Sequence, residues 1–127
     1  GKTDPNGTDF DLLIYLQSID DEEKIPDNIK VIGSFAFSSC KKLKKVEFSE
    51  NSNLQIIEKY AFFQSSIESN FYSKNVTKIC DYAFSWCRSL RKVEIAEHSN
   101  LQIIGVYAFQ MTEITEICIP PSVLEIR

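Results

Sequence analysis

The chain has 127 residues, of which 43% are hydrophobic and 25% charged, and its formal net charge is −4 at pH 7. This composition is ordinary for one folded domain and excludes a largely disordered chain. The acidic balance argues against a nucleic-acid partner, because phosphate binding depends on clustered Lys and Arg. The longest apolar run, Leu12 to Leu16, is far shorter than the ~18 residues a membrane helix needs, so no membrane span is predicted.

The N-terminal part is predicted to differ from the rest of the chain. Residues 1–8 are rich in Gly, Pro, Asn and Thr and are expected to form a flexible arm or to be an expression remnant. Residues 9–24 are predicted to be a cap that covers the open core at this end of the fold. Asp9 can cap a helix over 10–19, in which one face would carry Phe10, Leu13, Ile14 and Gln17.

An internal repeat dominates the remaining sequence. The segment Leu54 to Phe62 returns almost unchanged at Leu101 to Phe109, 47 residues later. An Ala-Phe pair recurs at intervals of 25, 22 and 25 residues, beginning at Ala36, Ala61, Ala83 and Ala108. The repeating unit is therefore about half of 47 residues long, which is in the range of leucine-rich repeats.

Each unit contains a short predicted strand. Polar and apolar residues alternate in Lys45-Val46-Glu47-Phe48, and the same pattern returns at residues 92–95. This period predicts that Val46 and Phe48 point into the core while Lys45 and Glu47 point outward. So short a strand needs identical neighbours, which predicts a parallel sheet over a continuous core. The four Ala and four Phe of the repeated pairs are expected inside.

Two cysteines occupy the same place in alternate units. At strand spacing, ~4.8 Å for each unit, Cys40 and Cys87 would lie ~10 Å apart, beyond the ~7 Å limit between the Cα atoms of a disulfide. We therefore expect reduced, buried thiols. The spacing also lacks the paired C-x-x-C pattern of a zinc site, so no metal site is predicted.

The sequence offers little for catalysis. The single histidine, His98, takes the place of Asn51 in a polar turn and is expected on the surface. Because there is also no nucleophile elbow, we predict no catalytic residue, no cofactor and no enzymatic activity.

At this point the residues resemble a known family. The pattern Ala-Phe-x-x-Cys-x-x-Leu-x-x-Val-x-Phe or Ile, followed by Ile-Gly-x-x-Ala-Phe, is similar to BspA-like (Treponema-type) leucine-rich repeats of cell-surface proteins, from about Ile25 to Ile126. The resemblance implies a leucine-rich-repeat solenoid over residues 25–127, right-handed and β-rich, with short parallel strands. About four full rungs are expected. It also implies adhesion to a host or matrix protein at the cell surface.

Alignment of the four units predicts which strand residues face outward and form a concave binding sheet. They are Lys45, Glu47, Ser69, Phe71, Lys92, Glu94, Glu116 and Cys118. Phe71 is either an interface anchor between charge pairs or, after a register shift, a core residue. Cys118 is expected outward because Ile117 and Ile119 are predicted to be its inward neighbours.

The sequence is compatible with two functions. The leading one is a protein-binding module, secreted or on the cell surface, and the sequons at Asn6 and Asn75 are compatible with secretion. The alternative is a self-assembling structural protein or intracellular, cytoplasmic scaffold that stacks through an open C-terminal edge.

Overall fold

The protein consists of short strands joined by turns. The computed structural model of the chain describes residues 12–13, 22–72, 74–95, 98–117, 121–123 and 125–126. The strands in these ranges are β1 (Leu12–Leu13), β2 (Glu22–Ile25), β3 (Val31–Ile32), β4 (Lys45–Phe48), β5 (Ile56–Ile57), β6 (Ser69–Tyr72), β7 (Lys78–Ile79), β8 (Lys92–Ile95), β9 (Ile103–Ile104), β10 (Glu116–Ile117) and β11 (Glu125–Ile126).

The strands alternate between two parallel sheets. Sheet A has the order β1-β3-β5-β7-β9-β11, and sheet B has the order β10-β8-β6-β4-β2. One strand of sheet A and the following strand of sheet B make one rung, so each rung hydrogen-bonds only to its neighbours in each sheet. The rungs β3–β4, β5–β6, β7–β8 and β9–β10 each contain one Ala-Phe pair. This confirms the prediction of a leucine-rich-repeat fold with short parallel strands.

The predicted helical cap is wrong. Leu12–Leu13 is a strand that pairs with Val31–Ile32, and Glu22–Ile25 pairs with β4 over four residues. A helix here would leave the N–H and C=O groups at the edges of β3 and β4 unpaired, whereas further strands complete them. The rest of the predicted cap and the predicted arm lie outside the described residues.

Columns of identical or similar side chains fill the core. The four Ala residues are at most 2% exposed, and Phe37, Phe62 and Phe84 are fully buried. With Phe109, these three rings form an inner aromatic column, stacked at 4.8 to 5.4 Å between centroids. Leu43, Ile67 and Leu90 are also fully buried, although Ile67 follows the Ala of its pair by six residues and the two Leu follow theirs by seven.

Each of these four rungs makes two turns with a left-handed residue. One lies just before the Ala and the other three positions after it, and none of them is glycine. With φ between 54° and 64°, they are Phe35, Ser39, Tyr60, Gln64, Tyr82, Trp86, Tyr107 and Met111. Left-handed backbone costs an L-residue roughly 1–2 kcal/mol. The turns are held by hydrogen bonds between rungs, such as Phe37 N–H to the Ala61 carbonyl (2.7 Å).

Candidate functional site

The residues that pair across the strands of sheet B form two rows. The first row follows the register Glu22, Lys45, Ser69, Lys92 and Glu116. The second row pairs Lys24 with Glu47 and Phe71 with Glu94. Val46 and Val93, which alternate with these positions, are buried. The side chains that the structure describes in these two rows therefore form a regular polar face.

Two ion pairs lie on either side of Ser69. Lys45 Nζ is 3.1 Å from Glu47 Oε1, and Lys92 Nζ is 3.0 Å from Glu94 Oε1. The hydrogen bond with Glu47 raises the pKa of Lys45, and the negative charges of Glu47 and Glu22 add to this effect. Because water screens such exposed pairs, their contribution to folding stability is small, and their charges remain accessible to a ligand.

An open depression of about 640 Å³ lies over this face. Its lining includes Lys24, Lys45, Glu47, Ser69 and Glu94. The small side chain of Ser69 stands in the row between Lys45 and Lys92 and leaves room between the two ion pairs. The depression has both positive and negative groups on its walls, which suits a polar protein surface with charges of both signs.

The structure places five of the eight predicted residues on this face. Lys45, Ser69, Lys92 and Glu94 are exposed, and Glu47 is half-buried. The side chains of Phe71 and Glu116 lie outside the part of the chain that the structure describes. The whole of Cys118 lies outside it as well. Whether these residues bind a ligand stays a prediction.

The exposure of Ile117 in the C-terminal rung differs from the prediction. Ile117 pairs with Val93, as the predicted register requires, but Ile117 is 40% exposed whereas Val93 is 3% exposed. The physical reason is that β10 is an edge strand of sheet B, so its apolar side chain has a neighbouring rung on one side only.

A second surface was missed in the sequence. The residues before the Ala of each pair, Phe35, Tyr60, Tyr82 and Tyr107, stack into a column outside the core, which we call the outer aromatic column. Its ring centroids are 5.0 to 5.5 Å apart, and the two end residues are more than half exposed. The sequence signal was the aromatic residue preceding every Ala-Phe pair.

The three cysteines of the described residues, Cys40, Cys80 and Cys87, form no disulfide bond, as predicted for Cys40 and Cys87. Cys87 is fully buried, but Cys40 is only half-buried, so that part of the prediction is wrong. Cys87 Sγ donates to the Phe62 carbonyl (2.9 Å) and lies 3.4 Å from Ser65 Oγ. Burial raises the pKa of Cys87 to about 11, and burial also raises the pKa of Cys80.

The described ranges contain no cluster of three His, Cys, Asp or Glu residues that could hold a metal ion. In the same part of the chain, no helix has the length and hydrophobicity to cross a membrane.

Comparison with known families agrees with the geometry. Residues 15–127 match the family described as BspA type leucine-rich repeat region, in six copies. The chain belongs to this family. Six copies are two more than the Ala-Phe pairs of this BspA-type chain. Repeat solenoids of this kind generally act by binding proteins on their extended surfaces.

Solved structures share the fold. The pneumococcal vaccine antigen PcpA is 22% identical with a TM-score of 0.62, covering 80% of this chain and 35% of the antigen. A leucine-rich cell surface protein from Faecalibacterium prausnitzii A2-165 is 27% identical with a TM-score of 0.54, covering 83% of this chain and 34% of that protein. The BspA-type chain therefore spans about a third of either protein. A search of curated proteins finds no match.

Proposed function

We propose that this BspA-type chain is an adhesion module, on the cell surface or secreted, that binds a host or matrix protein through the outward face of sheet B. The observation that carries the proposal is the alignment of Lys45, Ser69 and Lys92 in one row, with an accessible ion pair on either side of Ser69. The rigid rungs hold these groups in fixed positions, so a partner meets a preorganised surface.

The comparisons support the location but do not name a ligand. One similar structure is described as a vaccine antigen and another as a cell surface protein. Phe71, Glu116 and Cys118 complete the proposed binding face, with Phe71 as the aromatic anchor.

The test is capture of host-cell surface and matrix proteins on the immobilised chain. The double variant Lys45→Glu/Lys92→Glu reverses two charges of the face and should lower the affinity for the captured protein at least about tenfold. The matched control Lys30→Glu/Lys74→Glu makes the same change in charge at exposed positions outside sheet B and should bind normally. Equal binding by both variants would exclude sheet B as the site.

Self-assembly, as a structural or cytoplasmic scaffold, is the second candidate. The observation in its favour is the exposure of Ile117 (40%) and Ile126 (61%) on the edge strands β10 and β11. Stacking of a second copy on these edges would cover both side chains. Sedimentation velocity over a hundredfold range of concentration distinguishes the two functions: a dimer that Ile117→Lys abolishes supports assembly, and a concentration-independent monomer supports the adhesion module.

A further inference from the structure

The outer aromatic column is a second regular surface, separate from the face of sheet B. Phe35 and Tyr107 at its ends are 54% and 53% exposed, and Tyr60 and Tyr82 between them are half-buried. Three steps between ring centroids give the column a length of roughly 15 Å. Such a row of aromatic residues on the turns is not needed for the core, which the inner aromatic column already fills.

Stacking determines which part of each ring meets solvent. The ring planes of Phe35 and Tyr60 differ by 3°, and those of Tyr60 and Tyr82 by 4°, so these rings cover one another's faces. The face of an aromatic ring is electron-rich and its edge is electron-poor. Between Phe35 and Tyr82 the column therefore presents electropositive edges outward, whereas the Tyr107 ring is tilted by 42° to that of Tyr82.

The phenol groups add hydrogen-bond donors to this surface. None of the hydroxyls of Tyr60, Tyr82 and Tyr107 bonds to any residue that the structure describes. Next to them along the chain, Lys59 and Asp81 carry opposite charges, and the Asp81 carboxylate already accepts a hydrogen bond from Val106 N–H (2.8 Å). The surface is thus apolar, nearly neutral and rich in donors.

A matching ligand is an uncharged chain with many acceptors and few donors. A proline-rich segment has this chemistry, because its residues keep their carbonyl groups and lack the N–H. In the polyproline II conformation these carbonyls have no internal partner, and the helix repeats every three residues, or about 9.3 Å. Two steps of the column, from Phe35 to Tyr82, measure roughly 10 Å.

Other occupants fit less well. A sugar ring stacks on aromatic faces, and both faces of Tyr60 in the middle of the column are covered by the parallel rings of Phe35 and Tyr82. A second copy of the chain would need about 800 Å² on each partner for a stable dimer, which is more than a single column of four side chains offers.

We propose that the outer aromatic column binds a proline-rich segment in the polyproline II conformation. The segment lies along the column, one turn to every two rungs, with its carbonyl oxygens toward the electropositive ring edges. Tyr60, Tyr82 and Tyr107 donate hydrogen bonds to its carbonyl oxygens. The column recognises the ligand by its shape and its hydrogen-bond acceptors, and the ligand needs no charged group.

The experiment is calorimetric titration of the full chain with a synthetic peptide of roughly nine prolines, long enough for about three turns. A Gly-Ser peptide of equal length is the control ligand. We expect saturable binding of the proline peptide and none of the control. The triple variant Tyr60→Phe/Tyr82→Phe/Tyr107→Phe keeps the stacked rings but removes three donors, and its affinity should fall at least about tenfold.

A second variant distinguishes loss of binding from loss of folding and tests whether the peptide contacts the end of the column. Tyr107→Asn removes one exposed end ring, and Asn tolerates the left-handed backbone at this position (φ 54°). Its affinity should fall several-fold while its circular dichroism stays unchanged. Lys45→Glu/Lys92→Glu should bind the peptide normally, so failure of this proposal and failure of the adhesion site are separable.

Any one of several results would overturn the proposal. They are no binding of the proline peptide, equal binding of the Gly-Ser peptide, undiminished affinity of the triple Phe variant, and a dimer that Tyr107→Asn dissociates. The last result would show that a second copy occupies the column. If a soluble β-glucan oligomer binds more tightly than the peptide, the ligand of the column is a sugar and the proposal is wrong.

Discussion

Alkaline pH should destabilise the chain through Cys87. Burial raises the pKa of this thiol from its ordinary value of 9.0 to about 11 in the folded chain. Below pH 9 the thiol is neutral in both the folded and the unfolded chain and favours neither. As the pH rises above 9, the unfolded chain ionises first, so the free energy of unfolding decreases until the folded thiol also ionises near pH 11.

The size of the effect follows from the shift. One pH unit above the unfolded pKa corresponds to roughly 1 kcal/mol, so the chain should lose roughly 1 kcal/mol at pH 10 relative to pH 7.5. The loss should level off near roughly 3 kcal/mol above pH 11. The full amount is expected because Cys87 is completely buried.

Cys87→Ser is the matched control. Its hydroxyl donates to the same Phe62 carbonyl but does not ionise in this range, and we expect it to cost about 1–2 kcal/mol at pH 7.5. Urea unfolding under reducing conditions at pH 7.5 and 10 gives both free energies. All other ionisable groups are the same in both chains and cancel in the comparison. If the two chains lose stability equally between these pH values, the buried thiol is not the cause.

Three other substitutions test the packing by urea unfolding. Phe62→Ala removes a fully buried ring from the middle of the inner aromatic column and should cost about 3–5 kcal/mol; a cost below 1 kcal/mol would contradict the stacked core. Gln64→Gly relieves the left-handed backbone at φ 59° and should stabilise the chain by up to about 1 kcal/mol, whereas Gln55→Gly, outside the left-handed region, should destabilise it. Gly105→Ala should cost more than 2 kcal/mol, since its new methyl group would overlap the backbone of Asp81 in the adjacent rung; a neutral result would disprove this close approach.

Much of the repeat could be predicted because its signals are local. The alternation in Lys45-Val46-Glu47-Phe48 correctly predicted which side chains of β4 point into the core. The recurrence of Ala-Phe predicted the residues that form the columns of the core. The same alignment gave the register of Lys45, Ser69 and Lys92 correctly.

The wrong and missing predictions concern segments whose structure depends on contacts with neighbouring rungs. The spacing of Phe10, Leu13 and Ile14 suits a helical face, yet the open edge of β3 makes Leu12–Leu13 a strand. The outer aromatic column was missed for a related reason. The orientation of Tyr60 and Tyr82 depends on left-handed backbone at non-glycine residues, which no alternation of polar and apolar residues encodes.

The pattern of hydrogen bonds between rungs has a mechanical consequence. Among the described residues, the side-chain hydrogen bonds that cross rungs join residues 21 to 26 positions apart, so each of them links a rung to its neighbour. A force that pulls the two ends apart along the stack therefore loads the rungs in series. They should yield one after another, each releasing 22 to 25 residues, or roughly 75–85 Å of extended chain. For an adhesion module, such stepwise lengthening would dissipate the work of detachment before the bound partner is released.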